Sequence, residues 1–407
     1  FPSGGLRNTF EARGYTSCDC TSPAFVRDNT LYIPTAFYSY TGEALDTKTP
    51  LLRSMEALNK QALRVLRAFG NKTATHVTPT VGAEQEYFLI DREKYEQRLD
   101  LKLCGRTLLG AKPPKGQEME DHYCGRIRLR VASFMKQLDE ALWELGVTSK
   151  TEHNEAAPAQ HELAPVFESV NVACDHNQLT MEVMREVAKK NGLACLLHEK
   201  PFDGVNGSGK HNNWSLSTND GQNLLDPGKT PYENLQFLVF LSAVIIGVDK
   251  YADLLRMSAA NTGNDFRLGG HEAPPTIISI FLGEQLTHVL ENIADGANPD
   301  QTPSCVLETG VATLPKLPKD DSDRNRTSPF AFTGNKFEFR MVGSSASIST
   351  ANYVLNTIVA DSLMEIANRL ENCVDFDGEI QKIVRDAVKT HGKVIFNGNN
   401  YTDEWVE

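Results

Sequence analysis

The sequence predicts an α+β fold, a curved antiparallel sheet with long helices packed on its outside. Three observations carry that expectation. Several short strand-like segments hold carboxylates in apolar surroundings, several long segments repeat apolar residues at helical spacing, and the two kinds alternate along the chain. With 407 residues, 40% of them hydrophobic, the chain can bury a large core, and residues 1–407 are expected to form one large domain with helical excursions.

The elements follow in chain order. Thr49 to Phe69 is predicted as a helix, because Leu51, Leu52, Met55, Leu58, Ala62, Leu63 and Leu66 recur on one face. GAEQEYFLID reads as a strand in which Glu84 and Glu86, two apart, share a face. Cys104 to Gly125, rich in Gly, Pro and charge, reads as a surface excursion, and Arg126 to Leu145 as the next helix. Glu155 and Glu162 have Pro158 between them, which opposes one helix through both and favours two short extended pieces. Helices are expected over Asn177 to His198, Pro231 to Met257, Pro275 to Ile293 and Ser347 to Leu370. Ala294 to Arg326, containing PKLPKDDSDRNR, reads as an exposed loop. KFEFRMV is a strand with Phe337, Phe339 and Met341 on one face and Lys336, Glu338 and Arg340 on the other.

A carboxylate inside an apolar strand is costly to desolvate unless something positive neutralises it, so several of them converging imply a bound polyvalent cation. An E-x-E taken alone is more often a solvated strand face. Here Tyr87-Phe88-Leu89-Ile90 follows at once, which argues against solvation. His153 and His161 could be read as zinc ligands, but the cysteines lack matching C-x-x-C spacing. Oxygen ligands dominate and favour Mg²⁺ or Mn²⁺. In VNGSGKHNNWSL, glycines at alternate positions would let backbone N–H groups approach an anion, although Asn-Gly is also a common turn and the P-loop spacing is absent.

A formal net charge of -12 argues against nucleic acid or an anionic membrane as partner. The longest apolar run, Phe237 to Val248, is too short for a bilayer. Eight dispersed cysteines suit reduced thiols and a cytoplasmic setting. The sequons at Asn206, Asn213 and Asn325 fall within the candidate site and are taken as chance matches.

The motifs E-x-E, E-x-x-P-x-Q-x-E, N-G-S-G-x-H, R-x-x-x-x-E-A-P, N-R and E-x-R occur here in the order found in the glutamine synthetases, and the chain resembles that family from Phe1 to about Asn356. The wording of FPSGGLRNTFEARGY, HNEAAPAQHELAPVF and GNDFRLGGHEAPPTIISIFLG is similar to the type III branch. The resemblance implies ATP-dependent ligation of ammonium to L-glutamate by way of γ-glutamyl phosphate. Glu86, Glu155 and Glu162 match the ligands of a metal beside glutamate, and Glu84, His211 and Glu338 those of a metal bridging the ATP phosphates. Arg267 and Arg340 match arginines that hold the substrate carboxylate and the transferring phosphoryl group, with Asn206 and Gly207 in the loop over glutamate. Phe167 matches a residue packing on adenine, with Asn213, Ser215, Arg326 and Lys336 also on the nucleotide side. Glu272 matches the flap glutamate beside the ammonium site, and Tyr123 its tyrosine.

The chain departs from the bacterial type I pattern at Ala331 and Lys336, where that pattern has arginines, and at Asn213, where it has a histidine, so part of the phosphate clamp is altered. Type III enzymes also resemble longer chains, so an amino-terminal sheet domain and a carboxy-terminal extension are expected outside this sequence. The family further implies a large ring-based homo-oligomer, a dodecamer, with sites between neighbouring subunits. Two other readings stand beside this one: a γ-glutamyl ligase using another amine, and a non-catalytic structural relative.

Overall fold

One long strand, Val77–Asp91, organises the main sheet of the computed structural model, which describes residues 14–111, 115–296, 306–307, 313, 317–318 and 326–407. From one edge the sheet runs Ile280–Phe281, Phe330–Phe332, Phe337–Gly343, Gly209–Thr218, Val77–Asp91, Gln160–Pro165 and Ser149–Asn154. Glu168–Ser169 and Leu193–Leu196 also pair with the long strand. Among the described residues every strand pairing in this sheet is antiparallel except that of Ile280–Phe281 with Phe330 and Ala331, and Ile280 makes a further parallel bridge to Ile395. The expected α+β class is therefore found, with a short parallel edge on an otherwise antiparallel sheet.

Two-residue alternation decides which face each side chain takes. Val77, Val81 and Ala83 enter the largest apolar cluster and Tyr87 and Leu89 a second, while Glu84 and Glu86 point to the opposite face. Phe337, Phe339 and Met341 likewise enter the core, leaving Glu338 and Arg340 opposite. On Gly209–Thr218 the core-facing set is partly polar and every member is satisfied. Asn212 exchanges amide hydrogen bonds with Asn352 at 3.1 and 2.9 Å, and Trp214 Nε1 donates to Asn356 Oδ1 at 2.9 Å. These bonds pin the sheet to the helix Ser349–Asn372, which also packs against Lys48–Ala68 and Leu235–Lys250. The last of these is buried nearly all round, which explains its largely apolar sequence.

Several boundaries differ from the sequence reading. The helix expected over 177–198 spans Val170–Lys190, and Leu193–Leu196 instead extends the sheet beside Phe88–Asp91. A four-residue apolar run fits helix or strand, and the open edge of the long strand decided it. The expected 275–293 helix begins only at Glu284, because Gly283 has φ 80° and Ile280–Phe281 pairs as a strand. The 231–257 helix is broken at Tyr251 into Leu235–Lys250 and Ala252–Met257. Phe376–His391, not anticipated, is an amphipathic helix capped by Asp375, whose carboxylate accepts from Gly378 N, and it buries Ile380, Ile383, Val384 and Ala387. Residues 14–39 form short hairpin strands that the sequence reading also passed over. The loop expected over 294–326 lies mostly outside the described residues, as does the sequon asparagine Asn325. Among the described residues no helix is long and apolar enough to cross a membrane.

Candidate active site

Strand register brings the separated carboxylates together. His211 lies opposite Glu84, Asn213 opposite Glu338, and Glu162 opposite both Glu86 and His153 on neighbouring strands. His211 Nδ1 is 3.0 Å from Glu84 Oε2 and 2.9 Å from Glu338 Oε1, and its Nε2 is 3.6 Å from Glu86 Oε1. Glu155 follows directly after Ser149–Asn154, held to Gln160 across a tight turn in which Ala159 has φ 62°. His153 Nε2 is 3.1 Å from Glu155 Oε1 and 3.5 Å from Glu162 Oε1.

Burial makes this arrangement electrostatically unfavourable for the carboxylates on their own. Desolvation, with the charges of Glu84 and Glu155 beside it, pushes Glu162 well above the usual carboxylate range. Burial likewise raises Glu86, against the opposing pull of His211. Although burial acts against its charge, His211 is driven well above the ordinary imidazole value by its hydrogen bonds to Glu338 and Glu84. The bond to Glu155 raises His153, whereas burial, aided by His153, lowers His161 to about 4. Ligand atoms of Glu84, Glu162 and His211, and separately of His153, Glu155 and Glu162, lie within 4.8 Å of one another. A set of mainly carboxylate oxygens, partly buried and crowded with like charge, fits a hard divalent cation.

These groups line a cleft of about 930 Å³ including its open mouth, together with Tyr123, Glu272, Arg326, Ala331 and Arg340. Arg326 Nη1 bonds Glu272 Oε1 at 3.1 Å, Arg340 Nε is 3.7 Å from Glu338 Oε1, and Arg340 Nη1 donates to the Arg326 carbonyl. Tyr123 stands edge-on to His153, their rings 5.5 Å apart. His271 and Glu272 both have positive φ, 52° and 68°, a strained backbone that turns Glu272 into the cleft. Through Glu84 and Ala164 the cleft adjoins a second hollow lined by Phe167, Asn213, Ser215 and Lys336. Phe167 is exposed over that hollow, with its backbone against Gly82, where a Cβ would lie 3.5 Å away.

Other residues singled out from the sequence lie behind the cleft wall. Arg267 is fully buried, its Nη1 on Asn264 Oδ1 at 3.1 Å and its Nη2 on the Arg340 carbonyl at 3.0 Å. Asn206 and Gly207 are buried too, tied to Gln160 through Asn206 Nδ2 at 3.3 Å and the Gly207 carbonyl at 2.9 Å. Gly209 N–H is spent on Glu86 Oε2 at 2.7 Å, so this donor holds a carboxylate in place. The sequence reading missed His153 as a member of the cluster, having weighed it only as a zinc ligand. Its spacing of two from Glu155 was the available signal. Asn223 and Asn335 in the second hollow carried no sequence signal, and Ser215 Oγ reaches both, Asn223 Oδ1 and the Asn335 carbonyl each at 2.9 Å.

Comparison with known proteins bears on this geometry. Residues 60–278 match the family model described as the glutamine synthetase catalytic domain, residues 1–54 the type III amino-terminal model and residues 379–407 the carboxy-terminal domain. The chain is 54% identical to the type-3 glutamine synthetase of Dictyostelium discoideum over all of its own length and 56% of that protein. It is 50% identical to the glutamine synthetase of Bacteroides fragilis over the same shares. It thus spans little more than half the length of the curated relatives it matches. Among solved structures it superposes on Plasmodium falciparum glutamine synthetase with a TM-score of 0.59 at 15% identity, covering 90% of this chain and 66% of that one. A structure of GmaS without ligand gives a TM-score of 0.57 at 14% identity over 97% and 82% of the two chains. Likeness at these identities concerns the fold.

Proposed function

Because the chain belongs to the glutamine synthetases, in their type III branch, we propose that it ligates ammonia to the γ-carboxylate of L-glutamate through γ-glutamyl phosphate, releasing ADP and phosphate. The observation that carries this reading is the continuity of a carboxylate-and-histidine cleft, edged by Arg340 and Glu272, with an aromatic-edged hollow at Phe167. One region gathers acidic and basic groups for phosphoryl transfer, and the other suits a nucleotide base.

A carboxylate does not react with ammonia at neutral pH, since oxide would have to leave, and phosphorylation by ATP supplies a better leaving group. By the family resemblance Glu86, Glu155 and Glu162 would hold one divalent cation, Mg²⁺ or Mn²⁺, and Glu84, His211 and Glu338 another; the ligand atoms that converge here are those of Glu84, Glu162 and His211 and those of His153, Glu155 and Glu162. Bound there, such ions neutralise charge on the γ-phosphoryl group. Arg340 offers a planar guanidinium to the transferring oxygens, and Arg267 behind it is assigned to the substrate carboxylate. Phe167 packs against adenine, while Asn213, Ser215 and Lys336 serve the nucleotide in the same hollow and Arg326 serves it from the adjoining cleft. Glu272, with Tyr123 nearby in the cleft, provides negative charge for ammonium, whose loss of a proton frees the lone pair for attack. The cleft walls keep water from the acyl phosphate.

Residues 1–407 work in this proposal as one catalytic core of a cytoplasmic, nitrogen-assimilating enzyme that assembles as a ring-based homo-oligomer, a dodecamer. An assay of ATP-dependent glutamine formation with ammonium, methylamine or putrescine, with and without Mg²⁺, tests the activity. Ammonium should be strongly preferred and the metal required. Preference for methylamine would instead establish a γ-glutamyl ligase of another amine, and inactivity of the intact, folded protein with every amine would leave a structural relative.

A further inference from the structure

Glu199 is 2% exposed and lies outside every role assigned above. Its Oε1 accepts from Ser345 N at 3.1 Å and from Ser345 Oγ at 2.6 Å, and its backbone carbonyl accepts from Ser208 N at 2.8 Å. Its Oε2 lies against Gly263, and a side chain at Gly207, Gly263 or Gly343 would collide with it. One residue therefore joins the turn over the substrate region, the chain after the Phe337–Gly343 strand, and the short segment Thr262–Asp265.

That short segment holds Arg267. Asn264 donates to the carbonyls of Ala259 and Met341, both at 2.7 Å, and its Oδ1 receives Arg267 Nη1. A Cβ at Gly207 would stand 2.8 Å from Arg267 Cγ and would collide with the Glu199 backbone carbonyl, so the same glycine packs against both residues. The hydrogen bonds of Arg267 go to neutral oxygens, those of Asn264 and the Arg340 carbonyl, and its Nε has no partner among the described residues. Burial weakens its charge, and Glu86 and Glu199 are the carboxylates that sustain it. The Glu199 carboxylate reaches this arginine through the backbone: its Oε2 packs against Gly263, and the next residue, Asn264, receives Arg267 Nη1.

We propose that Glu199 is a positioning residue, whose buried carboxylate braces, through Gly263 and Asn264, the Arg267 side chain beside the 206–209 turn that its backbone carbonyl holds, in the arrangement that receives L-glutamate. This rests on the reading of Arg267 as a holder of the substrate carboxylate. In the intact protein, Glu199→Gln keeps the shape and removes the charge, and Ser345→Ala removes one hydroxyl from the same carboxylate. KM for L-glutamate should rise about tenfold in the first and about threefold in the second, with kcat and KM for ATP within about twofold. Glu199→Asp, which restores the charge on a shorter arm, should recover part of the loss. If KM for glutamate is unchanged in both Glu199→Gln and Ser345→Ala, or if KM for ATP rises equally, Glu199 is only a structural counter-ion and the proposal fails. Should Glu199→Gln not fold, Ser345→Ala decides by the same split. Arg267→Lys separates the two ideas, because an unchanged glutamate KM there overturns the role of Arg267 itself.

Discussion

At the residue scale, His211 is the hinge of the site, because its two ring nitrogens face three carboxylates from the two strands that flank its own. Glu338 contributes the shortest of these contacts, while its strand is held by Phe337 and Phe339 on the other face. Glu338→Ala should therefore reduce glutamine formation by at least about 100-fold with an unchanged circular dichroism spectrum, as expected for loss of a charge acting in phosphoryl transfer. Near-wild-type turnover would remove Glu338 from the metal set. Arg340→Lys should slow the phosphoryl step by about 100-fold in single-turnover measurements, because an ammonium cannot contact two oxygens in one plane. Unchanged transfer would make Arg340 structural. Glu272→Gln should spare ADP formation and lose glutamine, so the ratio of ADP to glutamine should rise several-fold as the acyl phosphate goes to water. Tight coupling in that variant would contradict its place at the ammonium site.

At the element scale, the amino-terminal hairpins are tied to the catalytic core by polar contacts as well as packing. Asp19 accepts from Thr21 and Asn171 and lies 3.1 Å from Lys48 Nζ at the start of the Lys48–Ala68 helix. Although burial works the other way, the bonds from Thr21 and Asn171, with Lys48 behind them, lower Asp19 from 3.8 to about 2. A carboxylate lowered on folding stabilises the fold above its unfolded value near 3.8 and loses that contribution as pH falls through about 2. Asp19→Asn should thus cost about 1 kcal/mol at pH 7, after allowance for solvent screening, and progressively less as pH falls through about 2. Urea titrations of both proteins across that range measure the difference, and a cost independent of pH would place the tie elsewhere.

At the scale of the whole molecule, residues 14–46 expose Tyr15, Val26, Leu31, Ile33, Phe37, Tyr40 and Leu45. Apolar surface concentrated in one small region is characteristic of an interaction site and suits the ring proposed above. Light scattering on the intact protein should report a mass many times that of one chain. Replacing Leu31 and Phe37 together by Ser should shift the population toward smaller species, with the fold retained by circular dichroism. An intact protein that remains a fully active monomer would refute both the ring and a site completed by a neighbour.

Much of the site was legible along the sequence because strand periodicity is local. Glu84 and Glu86, or Glu338 and Arg340, must share a face wherever the backbone is extended, and the apolar residues between them must turn to the core. The α+β class followed for the same reason, from patterns that repeat within a single element. Register is different, since it depends on which strands meet: only the pairing of Glu162 with both Glu86 and His153 made His153 part of the cluster. Folding likewise carried Arg267 and Asn206 behind the cleft wall and closed Glu199 against glycines far apart in the chain. Leu193–Leu196 became a strand because an open sheet edge lay beside it. Sequence by itself determined the chemistry of the groups and the face each takes on its own element. Tertiary structure alone decided which groups meet and which are desolvated, because contact and burial arise from residues that no local pattern connects.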